Sequence, residues 1–157
     1  MSADKIEVIV IGTEPPCPRC DLLNRHVRNV LSGAEGNISH VHLPFDSPEA
    51  QDLGRKFGRK VGTAKQVAEA AGINMNWQAV YEIIEHQKTI FREACAPADL
   101  WSPELDSALE PCQRVADSVG YLMTPVLIVK GEVKHHGSVP SLDDVRSWVL
   151  GHEKDVL

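Results

Sequence analysis

Ile6-Glu7-Val8-Ile9-Val10-Ile11-Gly12-Thr13-Glu14-Pro15-Pro16-Cys17-Pro18-Arg19-Cys20 is the stretch that decides how this chain is read. Its first six residues are apolar on both faces, broken only by Glu7, as befits a central strand covered by helices. Two thiols at C-x-x-C spacing follow, and beyond them Leu23, Val27, Val30 and Leu31 continue from Cys20 at helical spacing, ending near Ser32-Gly33. Both sulfurs then sit in the first turn of one helix. Cys17 lies at its start, where unpaired backbone N–H groups and the macrodipole favour an anion. A thiolate is such an anion, so the pKa of Cys17 is expected below the free value of about 8.5. Pro18 fits the first helical position, where its missing N–H costs nothing. Strand, turn and helix in this order suit a dithiol that is oxidised and reduced reversibly. Two other readings exist. Half of a zinc site would need a second C-x-x-C or an H-x-x-x-H, and neither is present. An inert buried pair is the other, since free cysteines are common in cores.

Length and charge bound the rest. The 157 residues read as one domain, 1–157, large enough to fold without a disulfide. A net charge of −6 and a pI near 5.6 argue against nucleic acid as a main partner. Met1-Ser2-Ala3-Asp4-Lys5 lacks the pattern of a secretory leader, and no run approaches the length of a membrane span. The expected location is the cytoplasm, where disulfides are usually transient and catalytic.

Ile38-Ser39-His40-Val41-His42-Leu43 alternates and reads as a second strand. Val126-Leu127-Ile128-Val129 and Glu132-Val133-Lys134 flank Lys130-Gly131, which reads as a two-residue hairpin turn with Gly131 at positive φ. Ser141 caps a last helix whose apolar face is Leu142, Val145, Trp148 and Val149. Between lies an insertion at about 46–110 that reads as mostly helical. Its candidates are Asp52–Val61, Thr63–Ala71 and, most firmly, Asn76–Lys88, followed by a loop at Ala96-Pro97-Ala98-Asp99 and a fresh helix start at Ser102-Pro103-Glu104. Pro111 is expected to start or kink the helix that follows.

Joined to Met123-Thr124-Pro125 opening the hairpin, and to Gly137-Ser138-Val139-Pro140-Ser141-Leu142 after it, the C-x-x-C block resembles the thioredoxin-like superfamily, closest to its small redox-active disulfide proteins. The resemblance covers a little over half the chain. It implies an α/β fold with a central mixed four-stranded sheet, βαβ then ββα, carrying the helical insertion as an addition. It also implies that Pro125 is cis and lies against the dithiol, and that the backbone at Thr124 pairs with an extended substrate. Pro18, Arg19, Thr124 and Pro125 are the substrate-binding residues so implied. Pro125 could otherwise merely begin an edge strand. Three features depart from the family: Pro16 stands where thioredoxins carry tryptophan, the first strand has no carboxylate near the dithiol, and the insertion is extra.

The implied activity is thiol–disulfide exchange with protein disulfides or dithiols. Cys17 is the nucleophile, Cys20 the resolving thiol, and no cofactor beyond their redox-active disulfide and no metal is expected. Electrons would come from a thioredoxin-reductase-type enzyme or from glutathione; C-P-R-C with Thr-Pro also fits a glutathione-linked, glutaredoxin-type reductase. A non-enzymatic alternative is a binding protein whose dithiol holds a soft metal ion. Arg19 could stabilise the thiolate and Glu14 oppose it, or Arg19 could simply be solvated. Cys95 and Cys112 offer a second pair, although ordinary buried thiols are the plainer reading. His40 and His42 share a strand face and His135-His136 sit on the last strand, but on opposite sheet edges, so they read as polar edge residues. Thr63–Gly72 is similar to the first half of a helix-turn-helix, which the acidic balance disfavours. The peroxiredoxin pattern P-x-x-x-T-x-x-C is missing.

Overall fold

The computed structural model describes residues 5–34, 36–91 and 96–151. The apolar run forms β1 (Ile6–Gly12), and the C-x-x-C opens α1 (Pro18–Ser32), which leads to β2 (Ile38–Pro44). The insertion supplies α2 (Pro48–Lys56), β3 (Lys60–Gly62), α3 (Ala64–Ala71) and α4 (Trp77–Ile90), then a 3₁₀ turn at Pro97–Leu100 and α5 (Pro103–Ala116). A second 3₁₀ turn leads to β4 (Tyr121–Met123), and the chain ends in β5 (Val126–Val129), β6 (Glu132–His136) and α6 (Leu142–Leu150).

The main sheet has the order β2-β1-β5-β6, with β1 parallel to β2 and antiparallel to β5, and β5 antiparallel to β6. A βαβ unit followed by a ββα unit on one four-stranded mixed sheet is the thioredoxin-like fold. Alternation along β1 divides its side chains between two cores. Val8 and Val10 pack with Leu23 and Val27 of α1 and Val145 and Val149 of α6. Ile9 and Ile11 face the other way, against Ala50 of α2, Val61 of β3 and Leu122 of β4. Each fully buried Val, Leu or Ile there contributes roughly 1.5–3 kcal/mol, which is why this strand tolerates almost no polar residue. At the β5–β6 turn both Lys130 (φ 55°) and Gly131 (φ 80°) have positive φ, the conformation a two-residue hairpin needs.

The insertion carries a third core, in which Val67, Val80, Leu105, Leu109 and Cys112 surround Met123. It departs from the sequence reading in several places. The first candidate helix was placed too late: Ser47 caps α2 and Val61 belongs to a strand. The loop expected at 96–99 is largely a 3₁₀ turn. Pro111 lies inside α5, which crosses the expected boundary at 110, so the end of the insertion and the helix leading to Pro125 are one element. The parallel pair β3–β4, with Val61 opposite Leu122, was not anticipated. No helix among the described residues is long and apolar enough to cross a membrane.

Candidate active site

Cys17 is the N-cap of α1 and Pro18 its first residue, so the sulfur caps the helix in place of an oxygen and accepts from the Cys20 N–H at 3.4 Å. The Cys17 N–H donates to Thr13 Oγ1 at 2.8 Å, which fixes the loop that delivers it. Cys17 is half-buried, whereas Cys20 is fully buried, and both are free thiols with sulfurs 3.3 Å apart. That proximity needs Gly12. A Cβ on this residue would stand 2.6 Å from Cys20 Sγ, too close for any side chain.

The two thiols are driven apart in acidity. The Cys17 pKa is drawn down to about 6, chiefly by the hydrogen bond from the Cys20 thiol, then by the Cys20 N–H, the Arg19 guanidinium and Thr13, against the opposing effect of burial. Cys20 is raised well above the ordinary range because its proton bridges to the Cys17 thiolate, because it is buried, and because that thiolate is a neighbouring negative charge. The resting pair is therefore a thiolate at the helix mouth and a protonated thiol beneath it.

Thr124–Pro125 is cis, as the resemblance implied, and so is Glu14–Pro15, which nothing in the sequence reading anticipated. The strand pairing expected at Thr124 meets a backbone already engaged within the fold. Thr124 is 3% exposed, its N–H donates to Gly62 O of β3 at 2.9 Å, and its carbonyl accepts from Arg19 Nη1 at 3.3 Å. The Thr124 N–H is therefore taken within the fold, and one of the two lone pairs of its carbonyl is engaged.

Of the two readings of Arg19, the solvated one does not hold. It is 5% exposed, with Nε donating to Asp106 Oδ1 at 2.7 Å and Nη2 donating to Gly137 O. Asp106 Oδ2 in turn accepts from Trp101 Nε1 (3.2 Å) and Val139 N (3.0 Å). The residue between the cysteines thus clamps α1, α5 and the cis-proline loop together while placing positive charge near the sulfurs. The Glu14 carboxylate faces His42 at 3.5 Å.

Sequence reasoning missed Asp106, 87 residues from Arg19, and the polar chain beside the dithiol loop. In that chain Asn24 Nδ2 lies 2.9 Å from His42 Nδ1, Asn24 Oδ1 lies 2.9 Å from His40 Nε2, and His42 Nε2 lies 3.1 Å from Thr13 O. His40 and His42 do sit on edge strand β2, with β6 and its histidines on the opposite edge. On β6, His135 stacks on Trp148 and His136 bonds Asp117 and the Met123 N–H. Among the described residues no group of three or more His, Cys, Asp or Glu is arranged to hold a metal ion. Cys112 is buried in the core of the insertion, and the proposed pairing with Cys95 falls outside the described residues.

A cavity of about 300 Å³ opens on Cys17 beneath the insertion. Its far walls are Val80, Ile84, Leu105 and Leu109 with the rings of Trp77 and Tyr81. No protein-family model matches the chain, and no curated protein matches it. A similar solved structure is that of the oxidoreductase DsbA from Xylella fastidiosa, 17% identical, with a TM-score of 0.33 over 92% of this chain and 82% of that one. A likeness that distant says nothing of chemistry, which is read here from the sulfur geometry.

Proposed function

We propose that the protein is a thiol–disulfide oxidoreductase acting through Cys17 and Cys20. One observation carries this reading: a half-buried sulfur that caps a helix lies 3.3 Å from a fully buried one, which draws the first thiol's pKa to about 6 and keeps the proton on the second. The Cys17 thiolate attacks one sulfur of a substrate disulfide, forming a mixed disulfide and expelling the other sulfur as a thiolate. Cys17 then no longer carries the charge and the acceptor that held the Cys20 proton. Cys20 becomes more acidic, loses its proton to solvent or the departing thiolate, and attacks Cys17 Sγ. The second substrate thiol leaves, and two electrons have passed from the protein dithiol to the substrate. Run backwards, the same steps oxidise a dithiol.

Electron return by a thioredoxin-type reductase or by glutathione belongs to the same proposal. Turnover of a glutathione mixed disulfide coupled to glutathione reductase, compared with turnover through a thioredoxin-type reductase, separates the two donors. The mechanism itself is tested with Cys17→Ser and Cys20→Ser. Cys17→Ser is expected to abolish disulfide reduction, and Cys20→Ser to accumulate a mixed disulfide on Cys17. Retained reduction in Cys17→Ser would overturn the mechanism.

A further inference from the structure

Two features of the dithiol's surroundings constrain what it can exchange with. The first is the closure of the Thr124 edge. Gly62 O, delivered by β3, occupies the Thr124 N–H, and Arg19 occupies its carbonyl. An extended peptide would have to displace Gly62 from the N–H and reach a residue that is buried beneath both. The second is the 300 Å³ cavity, at the small end of ligand pockets, with Cys17 on its wall and the rest of its lining largely apolar. It fits one ring-sized group joined directly to the sulfur under attack.

The cavity holds the Cys17 thiolate and two cationic lining residues, Arg19 and Lys65. Arg19 is compensated by Asp106. Lys65 is not paired with a carboxylate of the described residues; its ammonium donates to Tyr81 OH at 2.7 Å and lies 5.3 Å and 5.7 Å from the Tyr81 and Trp77 ring centres. The Tyr81 hydroxyl and the Trp77 ring hold a cation at the cavity wall while leaving its charge uncancelled. We infer that the site exchanges with low-molecular-weight disulfides that carry an apolar, ring-sized group and a carboxylate, rather than with extended protein chains. This rests on the exchange activity proposed above and names its substrate class. The Cys17 thiolate attacks the sulfur bearing the ring, the partner thiolate leaves, and Cys20 releases the ring thiol as the Cys17–Cys20 disulfide forms. An external dithiol reductant returns the two electrons.

The test is the single-turnover oxidation of the reduced full-length protein by three probes: bis(para-carboxyphenyl) disulfide, its neutral para-carboxamide analogue, and a disulfide-bonded peptide of a dozen or so residues. Each rate is divided by that of the same probe with a simple free thiol, which removes intrinsic reactivity. The carboxylate probe is expected to saturate and to exceed the carboxamide by about three- to fivefold, the upper range for an ion pair to the exposed Lys65 ammonium. Lys65→Gln is expected to bring that ratio near one, and Lys65→Glu to push it below one. A wild-type ratio near one, a ratio unmoved by both Lys65 variants, or a peptide that outpaces the carboxylate probe would overturn the inference. Failure of every probe to form the Cys17–Cys20 disulfide would instead overturn the exchange activity itself.

Discussion

Cys20→Ala puts the electrostatics of the site to a quantitative test. A fall of the Cys17 pKa from 9.0 to about 6 corresponds to about 4 kcal/mol in favour of the thiolate, and the largest cause is the Cys20 hydrogen bond. A hydrogen bond to a charged group is worth about 1.5–3 kcal/mol, or about one to two pKa units, so removing it should move the Cys17 titration from about 6 to roughly 7–8. Cys20→Ser keeps a hydroxyl donor and should move it less. The assay is the pH dependence of Cys17 alkylation in the reduced protein, followed at the peptide level so that other cysteines do not contribute. The midpoint is the informative quantity. A more basic thiolate is also intrinsically more nucleophilic, with a Brønsted slope of about 0.4–0.5, so the rate at neutral pH changes little even as the midpoint moves. A Cys20→Ala midpoint still at about 6 would refute the sulfur–sulfur hydrogen bond as the source of the acidity.

Other outcomes follow from the same geometry. Arg19→Met leaves the Asp106 carboxylate without its cation in a nearly closed site and should cost about 3–5 kcal/mol in chemical denaturation; a loss below about 1 kcal/mol would contradict the clamp. Gly12→Ala forces a Cβ against Cys20 and should cost about 1–3 kcal/mol, whereas Gly33→Ala, with nothing within 4 Å, should be near neutral. Equal effects at the two glycines would remove the close-packing argument. His26, His40, His135 and His136 all have lowered pKa values, with burial the first cause in each. The unfolded chain therefore takes up protons first, so stability is fully present above about pH 6.5 and falls as pH drops through the folded values. Urea midpoints of the oxidised protein, which lacks the Cys17 thiolate, should decline between pH 7.5 and 5.5. A flat profile would show these histidines to be no harder to protonate than in the unfolded chain.

What could be read in advance was what local chemistry dictates. The C-x-x-C after an apolar run placed the helix mouth and the more acidic sulfur, because a cap position and a strand period are written in neighbouring residues. The hairpin at Lys130-Gly131 and the cap at Ser141 were legible for the same reason. Resemblance, not periodicity, supplied the cis bond at Pro125.

The environment of the sulfurs was another matter. The sequence leaves Arg19 between a solvated cation and a partner of the thiolate, and only folding brings Asp106, Thr124 and Gly137 to it. Likewise β3 and β4 are three residues each, too short to show a period, and they exist because packing lays Val61 beside Leu122. Their pairing closes the Thr124 edge that the resemblance had left open to substrate. The chain by itself determined which two sulfurs share a helix mouth, since that is covalent identity plus one helical turn. The tertiary structure decided what may approach them, since access depends on contacts between residues some 60 to 120 positions apart, whose meeting no local pattern records.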